Sequence, residues 1–307
     1  MDRIPVRRLN EREDLNMKVA SDFRREAREA LKGNWVIATI IGLVSTVLGV
    51  NTIFAANGYS LDMDTEGLGQ ILAEVPEETA MAILAFVAVF TSIIAILNII
   101  IFFVAGPSTL GYVKVNLDML DGKKPEFADL FSGFKRYKEG FLMHFVRLLF
   151  IGLWILAYVG GAIVLGVICA FISRPLAMGV TVIASLVAAA LIIVKYYDYA
   201  LAPYIVYEYP EIGARTALQK SKQLMDGNRW RLFCLMFSFI GWSLLAAFFT
   251  FGIGFLVLKP YQEAAYAAFY RQIMTERNRS YRLNIKDEDN GEVKEVESVV
   301  TNYRWNY

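Results

Sequence analysis

The chain reads as an all-α protein, a polytopic membrane helical bundle of six transmembrane helices with amphipathic elbow helices on the cytoplasmic side. Hydrophobic residues make up 56% of its 307 residues, with a mean hydropathy of +0.42; a soluble domain holds roughly 45–50% apolar residues. The apolar residues are gathered into blocks, and crossing the hydrocarbon of a bilayer takes about 20 of them in a helix. Lys and Arg alternate between successive connections, as the positive-inside rule requires of a multi-span chain.

Residues 1–20 are polar and expected to be loose. The run SDFRREAREAL places Phe23, Ala27, Ala30 and Leu31 on one helix face, with Ser21 or Asp22 as its cap. Arg and Glu fill the opposite face, which suits an interfacial elbow before a span. The first span is expected from 35 to about 55. The stretch ahead of it is too long and mixed in charge for a signal-peptide n-region, so no cleavable signal is expected. Loop 56–79 holds six acids and no Lys or Arg. The second span covers 80–105. A polar stretch follows to about 140, and within it PEFADLFSGFKRYKEG reads as a second elbow with Phe127, Leu130, Phe131 and Phe134 on one side. The third span runs from about 141 to 171, and a short link with Arg174 and Pro175 leads to the fourth, 176 to 203 or beyond. Residues 211–228 form a third amphipathic stretch, with Ala214, Ala217, Leu218, Ser221 and Leu224 sharing a face. The apolar run 232–258 is long for one helix and short for two. The tail from 271 is polar, and its acidic end, KDEDNGEVKEVE, is expected to be disordered.

Orientation follows from the basic residues. The arm to Lys32 has nine, stretch 107–147 has seven, and 195–231 has six, against none in 56–79 and one in the 173–176 link. The N-terminus is therefore expected inside. Arg271, Arg277, Arg279 and Arg282 put the tail inside too, which demands an even number of spans. Segment 232–274 then has to be a hairpin, turning near Thr250, Phe251 and Gly252. The alternative is five spans, with 232–258 as one tilted helix and the tail outside. The expected organisation is an N-terminal arm over 1–34, a membrane domain over 35–274 and a cytoplasmic tail over 275–307.

A pattern of elbow, outward helix and proline-marked inward helix recurs three times. Gly33-Asn34-Trp35 and Gly227-Asn228-Arg229-Trp230 mark two elbow ends. Glycine there tolerates the positive φ that terminates a helix, and tryptophan suits the headgroup level. Pro107, Pro203 and Pro260 mark the inward helices, and together with Gly252 and Gly254 they are candidate helix breaks.

Candidate intramembrane polar residues are few. Lys195 and Asp198 can pair at i, i+3, or lie at the interface with Lys195 snorkelling. Lys259 and Glu263 are spaced i, i+4. Asn98, mid-span, suits an interhelical hydrogen bond better than a ligand. His144 is a candidate proton carrier; Arg147, one turn on, is expected to meet lipid phosphate. The tyrosines between 196 and 209 suit an interfacial belt. Cys169 and Cys234 lie in apolar runs and read as small buried hydrophobes. With a single His there is no zinc pattern, and no phosphate loop, nucleophile elbow or paired catalytic carboxylates are visible. No metal, cofactor or catalytic residue is expected. Lys+Arg, 31, nearly cancel Asp+Glu, 30, so nucleic acid has no electrostatic support as a partner.

The stretch from Pro203 to Tyr270 resembles an uncharacterised bacterial integral-membrane family, catalogued as a domain of unknown function. The resemblance rests on Pro203-Tyr204, Ser221 with Leu224-Met225 and Gly227, Phe239-Ile240-Gly241-Trp242, Gly252-Ile253-Gly254, Pro260-Tyr261 and Phe269-Tyr270. ALKGNW and the GP, FADLF and GFKRY pieces extend it over roughly 22–274. It implies a multi-span protein of the bacterial cytoplasmic membrane and supplies no catalytic residues. A more distant likeness is to the membrane module of some glycerophosphodiester phosphodiesterases, whose catalytic part is absent here. Three functions fit: non-enzymatic organisation or binding of lipid or a membrane-protein partner, transport of a solute, and, least supported, lipid modification.

Overall fold

The computed structural model describes residues 18–50 and 75–288. Most of the acidic loop 56–79, the start of the arm and the end of the tail fall outside these residues. Those described form α-helices joined by turns and short 3-10 segments, with no strand among them.

The helices are α1 (Ala20–Leu31), α2 (Trp35–Val47), α3 (Glu77–Leu120), α4 (Phe127–Leu130), α5 (Tyr137–Ala170), α6 (Arg174–Asp198), α7 (Ala202–Glu208), α8 (Gly213–Met225), α9 (Arg229–Phe237), α10 (Ile240–Phe249) and α11 (Phe255–Glu288). Four segments are long and apolar enough to cross a membrane: Glu77–Leu120, Phe127–Ala170, Ala177–Glu208 and Arg229–Phe249. A fifth is reached if α1 and α2, bent by 105° at their junction, count as one broken span.

Two layers divide the molecule, and α3 passes through both. Its 44 residues are about 66 Å long, twice the roughly 30 Å of a hydrocarbon core. From Met81 to Phe103 most of its large side chains are exposed, while Ala105, Leu110, Tyr112, Val115, Leu117 and Met119 are buried. The first half is a lipid-type surface. The second half is the axis of a protein-packed cap built from α1, α4, α7, α8 and α11. Pro107 sits between the halves without ending the helix, although a break and a polar connection were expected there. A proline removes one intrahelical bond, and burial on all sides beyond it keeps the helix going.

Glycines allow the cap to close on α3. A Cβ on Gly111 would overlap the Leu130 carbonyl, and one on Gly133 the Pro107 carbonyl. Gly106 and Gly140 meet backbone to backbone in the same way. The elbow at 127–136 is thus pinned to α3, with Leu130 buried and Phe127 and Phe131 left exposed, edge to ring at 5.5 Å. The expected shared face of these three is therefore split, because the turn becomes 3-10 after Leu130.

The other two elbows carry the faces read from their periodicity. Phe23, Ala27 and Leu31 of α1 are buried, Phe23 against Phe269 at 5.4 Å. Ala214, Ala217, Leu218, Ser221 and Leu224 of α8 are buried as well. Neither Ser21 nor Asp22 occupies the cap position of α1; that is Val19, whose N–H donates to the Asp22 carboxylate at 3.0 Å. The ends of α1 and α8 are built alike. Gly33 has φ 83° and Gly227 φ 77°; Asn34 N–H donates to Leu31 O, and Asn228 N–H to Met225 O. The two tryptophans after these turns differ: Trp35 lies 6.1 Å from the Tyr261 ring, while Trp230 is exposed.

The first span departs from expectation. Helix α2 stops at Val47, after 13 residues or about 20 Å, and turns at Gly49, φ 81°. Ser45 and Thr46 each donate a hydroxyl back to the preceding turn, and Val50 N–H closes the end on Ser45 O at 2.9 Å. Residues 51–55 lie outside those described.

Residues 229–288 form a hairpin. Ala246 meets Gly254, the Phe239 ring meets Tyr261 at 5.0 Å, and Arg231 pairs with Glu276. These partners run in opposite directions along the chain from the turn at 250–254, where Phe251 and Gly252 both take positive φ. Pro260 lies inside α11 rather than breaking it. Helix α11 is the centre of the cap, with Ala264, Ala265, Ala267, Phe269 and Tyr270 fully buried. Small alanines let its neighbours approach closely.

Close packing makes a prediction. Gly111→Ala should cost about 1–3 kcal/mol by overpacking, read as a lowered thermal midpoint in detergent. Gly152→Ala, whose added Cβ meets open space, should stay within about 0.5 kcal/mol of the parent.

Candidate functional site

A polar chamber of about 90 Å³ lies inside the bundle. Helix α3 contributes Thr109, Tyr112, Val113 and Asn116, whose spacing keeps them on one face. Arg147 enters from α5, Tyr196 from α6, Pro203 and Tyr204 from α7, and Glu263 and Tyr266 from α11. The break at residues 199–201, with Pro203 in the first turn of α7, lets Tyr196 and Tyr204 line the same space.

Several chamber atoms are left over after local bonding. Thr109 donates its hydroxyl to Ala105 O at 2.7 Å, and Asn116 donates its amide to Tyr112 O at 2.8 Å. The Asn116 Oδ1, Tyr112 Oη and Arg147 Nε atoms are buried without a hydrogen-bond partner among the described residues. Arg147 is 5% exposed, with its guanidinium 5.8 Å from the Tyr196 ring centre. Leaving buried polar atoms unpaired costs about 1–3 kcal/mol each, so the chamber suits a small polar occupant; its volume equals roughly three waters at about 30 Å³ each. Arg147 and Glu263 bring opposite charges to one lining.

The residues singled out from sequence are dispersed. Glu263 belongs to the chamber. His144 is buried one turn before Arg147, its ring 6.4 Å from Phe102. Asn98 is exposed and donates to Ile94 O of its own helix, not to a neighbouring one. Arg147, expected at lipid phosphate, is inside the protein, because α5 turns that face toward α3 and α11. Tyr196 and Tyr204 line the chamber. No cluster of three or more potential metal-ligating side chains occurs among the described residues.

Lys195 and Asp198 are together, but the tighter partner was not legible. Asp198 is fully buried; Arg229 of α9 binds its Oδ1 at 2.6 Å, whereas Lys195 stands 3.7 Å from Oδ2. The Ser221 hydroxyl donates to the Asp198 carbonyl at 2.7 Å and accepts the Leu201 N–H at 3.2 Å. This latch ties the end of α6 to α8 and α9. Lys195 instead rests its ammonium 4.4 Å above the Trp154 ring.

Ion pairs close the cap. Arg231 forks onto Glu276 at 2.8 and 3.0 Å. Arg271 bridges Glu208 and Asp121, each at 2.9 Å, and Tyr270 donates to Glu208 at 2.5 Å. Arg136 caps α7 by donating to the Val206 and Tyr207 carbonyls.

Removing one partner of a buried pair costs about 3–5 kcal/mol. Because Arg229 is itself a third exposed, Arg229→Ala should cost somewhat less, about 2–3 kcal/mol, in thermal unfolding, and Lys195→Ala distinctly less again. Glu276 gives a pH dependence. Burial pushes its carboxyl up, but hydrogen bonds from Arg231 and Gln272 outweigh that and hold it below its ordinary 4.5. With the folded value depressed, the unfolded chain binds the extra proton, so the stabilisation is full above pH 4.5 and disappears as pH falls through the folded value. Glu276→Gln should lower the thermal midpoint at neutral pH and flatten its decline on the acid side.

No curated protein and no solved structure matches the sequence significantly. A family match covers residues 17–277, taking in the helices that form the chamber and the cap except the end of α11. The chain belongs to that family, described as a protein of unknown function, DUF975.

Proposed function

We propose that the chain is a six-span integral protein of the cytoplasmic membrane, with both termini in the cytoplasm, that binds and organises lipid without catalysing a reaction. Apolar helices support the membrane reading directly. The alternation of Lys and Arg supports the orientation. Helix α11 serves as the returning span of the last hairpin: its Lys259, Gln262 and Glu263 are compatible with membrane depth because the surrounding helices cover it.

The observation behind lipid binding is a trough between α5 and α6. It measures about 410 Å³, within the roughly 300–1,000 Å³ of ligand sites, and Tyr158, Ala162, Leu165, Val180, Val187 and Leu191 are among the residues that line it. It lies among the exposed apolar side chains of both helices. A bilayer presents such a trough with acyl chains.

Mass spectrometry of lipid copurified in mild detergent should find near-stoichiometric phospholipid that survives washing. A protein stripped clean by the same washing that leaves it folded would refute the reading. Reporter fusions after residues 122 and 307 should report the inside, and one after residue 58 the outside.

Transport of a small polar solute is a second reading, favoured by the chamber with Arg147 and Glu263. It predicts that Glu263→Gln and Arg147→Gln abolish solute flux into vesicles at unchanged expression. Under the lipid reading, neither alters lipid retention.

A further inference from the structure

The trough has an inner end of different character. Its α6 lining, Val180, Ala184, Val187 and Leu191, continues one turn further to Lys195 at the same helical spacing. Its α5 lining continues from Tyr158 to Trp154, the two rings stacked at 5.4 Å. Lys195 rests on Trp154 at 4.4 Å, so these two side chains bound the inner end. Toward the other end the helices meet at Gly166, where a Cβ would overlap the Thr181 hydroxyl. From Val180 to Leu191 the trough extends about 17 Å along α6.

Lys195 has a loose ion-pair partner but no hydrogen-bond acceptor among the described residues. Its side chain is 20% exposed, and among the described residues it makes no hydrogen bond, Asp198 being 3.7 Å away. Arg229 binds the Asp198 Oδ1 at 2.6 Å, leaving Lys195 the looser ion pair with Oδ2 at 3.7 Å, and the exposed Asp226 approaches Arg229 at 3.6 Å, not Lys195. An ammonium carries three donors, and a positive charge at the edge of an apolar band attracts the anionic lipid of that leaflet.

We propose that the α5–α6 trough is a specific site for one anionic phospholipid, with an acyl chain between the helices and its phosphate on the Lys195 ammonium. This rests on the lipid-binding reading above and adds headgroup selectivity. Trp154 and Tyr158 form the aromatic collar between chain and headgroup. A free phosphate, without a chain to fill the trough, is not the ligand.

Native mass spectrometry of the detergent-solubilised full chain tests it, with dioleoyl-phosphatidylglycerol and dioleoyl-phosphatidylcholine added at equal concentration. The parent should hold one phosphatidylglycerol in at least fivefold preference, undisturbed by millimolar inorganic phosphate. Lys195→Gln should abolish the preference while still binding either lipid, and Lys195→Arg should restore it. Gly161→Phe, placed where an added Cβ meets open space in the trough, should reduce retention of both lipids. If the parent binds both lipids equally, or Lys195→Gln keeps the preference at an unchanged thermal midpoint, headgroup selectivity is refuted while lipid binding stands. If neither lipid is retained by the folded parent, the lipid-binding reading itself falls.

Discussion

A helix of 44 residues cannot spend its length in hydrocarbon, and much of this fold follows from where α3 leaves it. Above Phe103 the side chains need only be apolar, since lipid satisfies them and the helix satisfies its own backbone. Below that level any exposed apolar surface would face water or headgroups, so protein must cover it. The cap is that cover. Gly106, Gly111, Gly133 and Gly140 let the second elbow and the start of α5 approach α3 to backbone contact, and α11 closes the opposite side with its alanines.

The need to cover α3 also explains the mixed composition of α11. A helix facing lipid must be apolar outward, which makes it easy to find by hydropathy. A helix enclosed by others is free of that demand. Its Glu263 faces the chamber, its Arg271 and Glu276 make ion pairs, and among its described side chains only those of the first turn, Phe255 to Val257, are large, apolar and exposed. The polarity of α11 goes with its enclosure by the surrounding helices.

Legibility in the sequence follows the same division. Elbows α1 and α8 were readable because one face is packed and the other solvated, which is what a 3.6-residue period records. The turn at 250–254 was readable because the basic tail demanded that the chain double back within 232–274, and Gly252 there takes a positive φ. Pro107 misled, because a proline reports a lost backbone bond but not the packing that outweighs it. The end of α2 at Val47 was hidden, since apolar residues continue on both sides of it. Arg147 was misplaced for a deeper reason: its surroundings come from α3, α6, α7 and α11, and no local spacing in α5 encodes them. Asp198 suggested its neighbour Lys195, one helical turn away, while its closest charged partner, Arg229, arrives from another helix.

The last turn of α6 is where the two candidate sites come nearest. Successive residues of a helix point about 100° apart, so Lys195 turns to the trough and Trp154, Tyr196 to the chamber and Arg147, and Asp198 to the latch with Arg229 and Ser221. Three environments thus share four residues: a cation at the end of the trough, a buried polar cavity and the bond that fixes α6 to the cap. The Asp198 latch holds this turn at both levels, through its carboxylate to α9 and its carbonyl to α8. Rotation of α6 that moved Lys195 out of the trough would carry Tyr196 away from Arg147 and strain both bonds at once. These bonds hold the trough and the chamber apart although they are built from adjacent residues.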